Sequence, residues 1–290
     1  LSLWYSCESA PSASCRGPPR RTAEMTRIGQ VGVGQWGAKV LRALASRADV
    51  DIAWTAGRDW PEKLRRYGAE TDGVVVAVPP SAQPLVAAAC LGEGLPVFLE
   101  KPMALSIKAA SALHEQAAWS GLPVVVDHVW LFHPLRDEIR CAFGVSALAS
   151  VETVSGGQGP HRDWGVPHPG LWDWAPHDVA LVLDLIGAAP EHVRAEVTSG
   201  GPGYHLHMVV GGVPVSVFTG NRAERKTRLV TITTRSTGPK TFDMLAHPAN
   251  PLDRALGVWL DAVAGSSWDS RVGTLLAMQV VETLARAEAT

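Results

Sequence analysis

Five short apolar runs, RIGQVGVG, VDIAWTAG, GVVVAVPP, LPVFLE and LPVVVDHV, recur between residues 27 and 129, with a helix-length segment between each pair. The intervening segments are WGAKVLRALASR, PEKLRRYG, AQPLVAAACLGEG and SIKAASALHEQAAWSG. The runs are rich in β-branched residues and do not alternate with polar ones, so both faces of each strand must be covered by apolar partners. Helices on both sides of a parallel sheet meet that demand. Residues 26–128 are therefore expected to form a doubly wound α/β domain of the Rossmann type.

The first run ends in GVGQWG, which reads G-x-G-x-x-G through Gly32, Gly34 and Gly37 where strand gives way to helix. Glycines there permit a tight turn and close approach of the backbone to a pyrophosphate, and the helix N-terminus, with Gln35 and Trp36, supplies amide donors and a favourable dipole. Val78 and Pro79, at the end of the third strand, are expected to border the same cofactor. Twenty residues past the last glycine, an NAD site presents an acidic side chain to the ribose; this chain has Gly57 followed by Arg58. A small residue and a fork-shaped cation favour the 2′-phosphate of NADP. NAD stays possible if Arg58 is a solvated loop charge and Asp59 turns back to the ribose.

Beyond residue 128 the pattern changes. HVRAEVTSG, GYHLHMVVGG, VPVSVFTGN and RLVTITTRST follow one another through glycine-rich or charged connections, as strands of an open, mainly antiparallel sheet do, and LDRALGVWLDAVAG and SRVGTLLAMQVVETLARA return to helical spacing. Residues 129–290 are expected to form a substrate-binding and oligomerisation domain with C-terminal helices. Because HLHMVV and VSVFTG carry apolar residues on both faces and helices can cover only one, a homodimer or homotetramer through the sheet is expected. Residues 1–25, rich in Ser, Pro and Arg, read as a disordered or non-native extension, with translation naturally starting at Met25.

Lys and Arg number 26 against 28 Asp and Glu, which gives no electrostatic case for nucleic acid or an anionic membrane as partner and leaves a small-molecule substrate as the default. No apolar run approaches the roughly 20 residues of a membrane span. The four cysteines show no C-x-x-C spacing and the histidines no H-E-x-x-H, so no metal is expected, and a reducing cytoplasm fits best.

LWDWAPHDVALVLDLIG sets Asp173 and His177 four positions apart at the start of an otherwise apolar helix, on one face. Asp173 is compatible with a plain helix cap and His177 with a satisfied core histidine; both also suit a site at the helix mouth. Lys101, before Pro102 at the carboxyl end of a parallel strand, lies where such sheets bind ligands. These stretches, with FLEKPMAL and VVVDHVWLFHP, resemble the Gfo/Idh/MocA family of oxidoreductases over essentially all of residues 26–290. Its E-K-P motif matches Glu100, Lys101 and Pro102, and its D-x-x-x-H motif matches Asp173 and His177.

The resemblance implies a nucleotide-binding domain followed by an open antiparallel sheet. It also places Glu100 and Lys101 at the cofactor and makes Lys101, Asp173 and His177 the catalytic set. GQGPHRDWG resembles a substrate loop of the polyol and nucleotide-sugar members, so His161 and Arg162, with Trp172 and Trp174 as walls, are candidates for substrate contact. The implied function is hydride transfer between NADP(H) and a secondary alcohol or ketone of a sugar, cyclic polyol or nucleotide sugar. A non-catalytic NAD(P)-binding regulator and an imine or enone reductase are the alternatives.

Overall fold

The computed structural model describes residues 25–157, 164–198, 203–220, 226–269 and 272–290. Strands β1 (Thr26–Val31), β2 (Val50–Ala56), β3 (Gly73–Val76), β4 (Val97–Leu99) and β5 (Val124–Val126) form one parallel sheet in the order β2-β1-β3-β4-β5. Helices α1 (Gln35–Ala45), α2 (Trp60–Tyr67), α3 (Gln83–Gly92) and α4 (Ile107–Ser120) connect them. The valines of β3 and β5 are all buried, as the absence of alternation requires. The chain runs outward from β1 to β2 and then returns to β3 on the other side of β1. That reversal leaves a crevice at the carboxyl ends of β1 and β3, where open α/β sheets hold ligands.

The second sheet is six-stranded, β11-β10-β6-β9-β8-β7, built from β6 (Leu148–Gly156), β7 (Pro190–Val197), β8 (Gly203–Val210), β9 (Val213–Gly220), β10 (Thr227–Thr234) and β11 (Lys240–Asp243). It is mainly antiparallel, but its central pair, β6 and β9, runs parallel. Neither β6 nor β11 is marked by the sequence pattern. Along β8, Tyr204, Leu206, Met208 and Val210 are buried while His205, His207 and Val209 are half-buried, so the two faces differ. Helix α6 (Pro169–Ile186) packs against β6, β8 and β9. On the other face the His205 ring stacks on Phe218 with centroids 3.6 Å apart.

Helix α6 is apolar on every side because it is enclosed on every side. Helix α5 (Pro134–Ala142) is tied to it by Arg136, whose Nε and Nη2 each donate to the Asp184 carboxylate at 2.7 Å, with both residues buried. Helix α8 (Thr274–Glu288) touches both α4 and α6 and so joins the two sheets. Helix α7 (Pro251–Val263) turns Trp259 under the first sheet, against Phe98, and Gly73 has no Cβ because one would sit 2.8 Å from that indole. Among the described residues no helix is long and apolar enough to cross a membrane.

Candidate active site

Three features shape the glycine loop. Gly32 has φ +99°, and a Cβ on it would lie 2.2 Å from the Ala77 carbonyl oxygen; a Cβ on Gly37 would lie 2.1 Å from the Gly32 carbonyl oxygen. A Cβ on Gly34 would meet nothing within 4 Å, so the backbone there is bared to the cleft. The fully buried Gln30 holds the loop from beneath, its Nε2 donating to the carbonyls of Gly32 at 2.9 Å and Gly37 at 2.8 Å. Helix α1 opens at Gly34 with no side-chain cap and no acidic residue in its first turn, which leaves its first amides to an anionic ligand. These residues fit a dinucleotide pyrophosphate.

A single cleft of about 1060 Å³ runs from this loop to the second sheet. It is lined by the expected cofactor residues Gly32, Gly34, Gln35, Trp36, Gly37, Gly57, Arg58, Val78, Pro79, Glu100 and Lys101, and also by Asp173 and His177. Arg58 is exposed, and the Asp59 carboxylate accepts the Gly57 amide at 2.9 Å. Both the cationic and the acidic reading of this turn thus keep their side chains at the site.

Lys101 follows β4 and reaches across to the start of α6. Its Nζ donates to the Asp173 backbone oxygen at 2.5 Å and to Asp173 Oδ1 at 3.2 Å, with the lysine side chain 14% exposed. Asp173 therefore bridges the nucleotide domain to the helix. His177, one turn on, presents a buried Nδ1 without a hydrogen-bond partner among the described residues. Burial pushes its pKa well below the ordinary histidine value, helped by the positive charge of Lys101 and by His128, Arg228 and Lys226. The fold thus keeps this imidazole neutral. His128, behind it with ring centroids 6.2 Å apart, is driven by burial to about 3.

Trp172 and Trp174 lie about 200° apart around the helix at 100° per residue. The structure corrects the expectation that both wall the site. Trp172 is 1% exposed, with its indole Nε1 donating to Glu288 on α8 at 3.2 Å, and it does not line the cleft. Trp174 does, lying over Gly157, where a Cβ would be 2.1 Å from its ring. His161 and Arg162 fall outside the described residues.

Asp127 and Arg228 escape the sequence reading, as does the pairing of Glu100 with Asp127. Glu100 and Asp127 follow the paired strands β4 and β5, whose register sets Leu99 beside Val126. The two carboxyl groups meet in the interior behind Lys101, Glu100 being 7% and Asp127 0% exposed. Burial, then the Asp127 charge, raises Glu100 well above the carboxylate range; burial raises Asp127 to about 6, while the neighbouring Glu100 carboxyl and the charges of Lys101 and Lys39 hold it down. The pair thus keeps a proton between its two members at neutral pH. Arg228, at the start of β10, also lines the cleft, with its guanidinium 4.3 Å from the Trp174 ring centroid and 5.7 Å from that of Trp130.

Residues 26–128 match the model of an oxidoreductase family with an NAD-binding Rossmann fold, GFO_IDH_MocA. This nucleotide domain resembles that of the Gfo/Idh/MocA family. An uncharacterised protein of Sinorhizobium fredii, y4oX, is 27% identical over 128 residues, 41% of this chain and 36% of its own length, so the match spans about a third of that relative.

Solved structures share the fold over nearly the whole chain. UDP-N-acetylglucosamine 3-dehydrogenase GnnA from Acidithiobacillus ferrooxidans is 20% identical with a TM-score of 0.78, over 92% of this chain and 98% of its own. GenD2 of gentamicin A biosynthesis, solved in complex with NAD, is 20% identical with a TM-score of 0.77, over 94% and 95%. A dehydrogenase from Chromobacterium violaceum is 15% identical with a TM-score of 0.78, over 92% and 95%. At these identities they establish the fold of this chain and leave its substrate open.

Proposed function

We propose that this chain is an NADP(H)-dependent oxidoreductase of the Gfo/Idh/MocA family that interconverts a secondary alcohol and a ketone on a sugar, cyclic polyol or nucleotide sugar, with NAD as the alternative cofactor. The observation that carries this reading is the bridge from Lys101 to Asp173, which brings His177 into the same cleft as the glycine loop. When bound, the nicotinamide supplies the hydride acceptor or donor. Lys101 donates a hydrogen bond to the reacting oxygen and stabilises negative charge as it develops there. Asp173 orients Lys101 and the substrate. His177 exchanges the hydroxyl proton; because burial among cations disfavours its protonated form, it rests as the neutral imidazole, the form that can accept that proton.

Arg58 is assigned to the 2′-phosphate. The face of the second sheet that carries His205 and Phe218 is assigned to a second copy of the chain, giving a homodimer or homotetramer.

The deciding experiment replaces His177 and Lys101 by alanine and measures turnover on a panel of polyols, sugars and nucleotide sugars. Each change is expected to lower kcat by roughly 10²- to 10⁴-fold, with NADP affinity kept. The parent's kcat/KM is expected to show no histidine inflection near pH 6.5. A folded, cofactor-bound His177→Ala retaining kcat within about threefold would remove His177 from proton transfer.

A further inference from the structure

Arg228 is the least compensated cation of the cleft. The residue is 6% exposed, yet its Nε is buried without a hydrogen-bond partner among the described residues, and its Nη1 donates to the neighbouring Thr227 carbonyl at 3.1 Å. No carboxylate among the described residues lies within ion-pair distance of it. The two acids that feel its charge are engaged elsewhere: Asp173 with Lys101, and Asp178 with the Ser155 hydroxyl at 2.5 Å. A guanidinium taken out of water without a carboxylate beside it is unfavourable unless something supplies the missing charge.

The rest of the wall sharpens the point. Arg228 lies over the Trp174 ring, its guanidinium 4.3 Å from the centroid, and Lys226, two residues earlier, lines the same cleft. Burial and the charges of Arg228 and Lys39 push Lys226 below its ordinary range, so these cations crowd one another. Lys39 stands one turn into α1 and belongs to the pyrophosphate end. Arg228 stands on the second sheet beside Trp174, close enough to His177 to bias its protonation. An anion bound by Arg228 is therefore a part of the substrate and separate from the cofactor phosphates.

We propose that the substrate is an anionic sugar or polyol derivative whose carboxylate or phosphate is bound by Arg228, with Lys226 as the second contact. This rests on the hydride-transfer reading for where the substrate lies. A planar fork suits both groups in two-point contact. It would fix the alcohol carbon at a set distance from His177, making Arg228 a specificity-determining residue.

The test is calorimetric titration of D-glucuronate, D-glucose 6-phosphate and D-glucose into the NADP-saturated full chain, with turnover measured on the same three compounds. At least one anion is expected to bind ten times or more tighter than D-glucose, the tighter of the two distinguishing carboxylate from phosphate. Arg228→Met should abolish that preference, and Arg228→Lys should restore part of it. If Arg228→Met does not fold, as judged by NADP binding, Lys226→Met carries the test, with a loss of threefold or more in anion affinity. D-glucose binding as tightly as the anions, no binding of either anion, or anion affinity unchanged in the folded variants would overturn the proposal. Turnover of D-glucose without an anion preference sinks the anion site and spares hydride transfer. Anion binding lost in Arg228→Met without turnover of any compound sustains the anion site and counts against hydride transfer.

Discussion

Asp127→Asn should make the protein more resistant to alkaline conditions, against the usual direction for the loss of a charged group. In the native state burial raises Asp127 to about 6, and it shares its interior position with Glu100, which burial raises further. An unfolded aspartate titrates near 3.9, so between about pH 4 and pH 6 the native protein holds a proton that the unfolded chain has released. The stability linked to that proton is fully present below pH 4 and disappears as pH rises through about 6. A displacement of roughly two pKa units, which already includes the attraction of Lys101 and Lys39 for the carboxylate, corresponds to about 3 kcal/mol. Asparagine keeps the volume and can donate its amide to Glu100.

Melting temperatures of parent and variant, compared from pH 4.5 to 8.5, should diverge with rising pH, the variant ending higher by on the order of several degrees. The difference between the two curves removes the contributions of Asp178 and the buried histidines. Parallel curves would show that Glu100 and Asp127 do not share a proton.

Arg58→Ala should weaken NADP binding roughly tenfold or more while leaving NAD binding nearly unchanged, the range expected for losing a hydrogen bond to a charged group; calorimetry showing equal losses for both cofactors would return the ribose to Asp59. Arg136→Met strips the buried Asp184 of its two-point partner and should cost about 3–5 kcal/mol in denaturant unfolding; a loss below about 1 kcal/mol would mean that Arg140, 3.4 Å from the same carboxylate, compensates. Light scattering at micromolar concentration should return a mass of two or four chains, and the mass of one chain would leave the His205 and Phe218 face without its assigned partner.

The first sheet was legible because β1 to β5 carry their burial in their composition: runs of valine and isoleucine bounded by glycine and proline need no distant information. Strand β6 was not. LASVETVSG mixes Glu152 and Ser155 among its apolar residues, and its parallel pairing with β9 joins segments more than 60 residues apart, for which no local pattern exists. The same limit hid the carboxyl pair, since Glu100 and Asp127 become neighbours only when β4 and β5 take their register.

Two omissions had a usable signal. Helical periodicity alone separates Trp172 from Trp174. Strand alternation groups Arg228 with the buried Val230 and Ile232, marking a charge on the helix-facing side of the sheet. The depression of His177 follows first from its burial and then from where Lys101, His128, Arg228 and Lys226 converge, which is tertiary information.

Gln30 bears on how tightly this cleft can hold its cofactor. A phosphate-binding loop rich in glycine has many accessible conformations, and a ligand that must select one of them loses affinity in proportion to the others. Here one amide nitrogen grips both ends of the turn, and the carbonyls of Ala77 and Gly32 close off the space into which it could relax. The loop therefore enters binding already ordered by folding. A Gln30→Leu chain could keep every group that touches the pyrophosphate and still bind it more weakly, because the disorder removed by the core would have to be removed by the ligand.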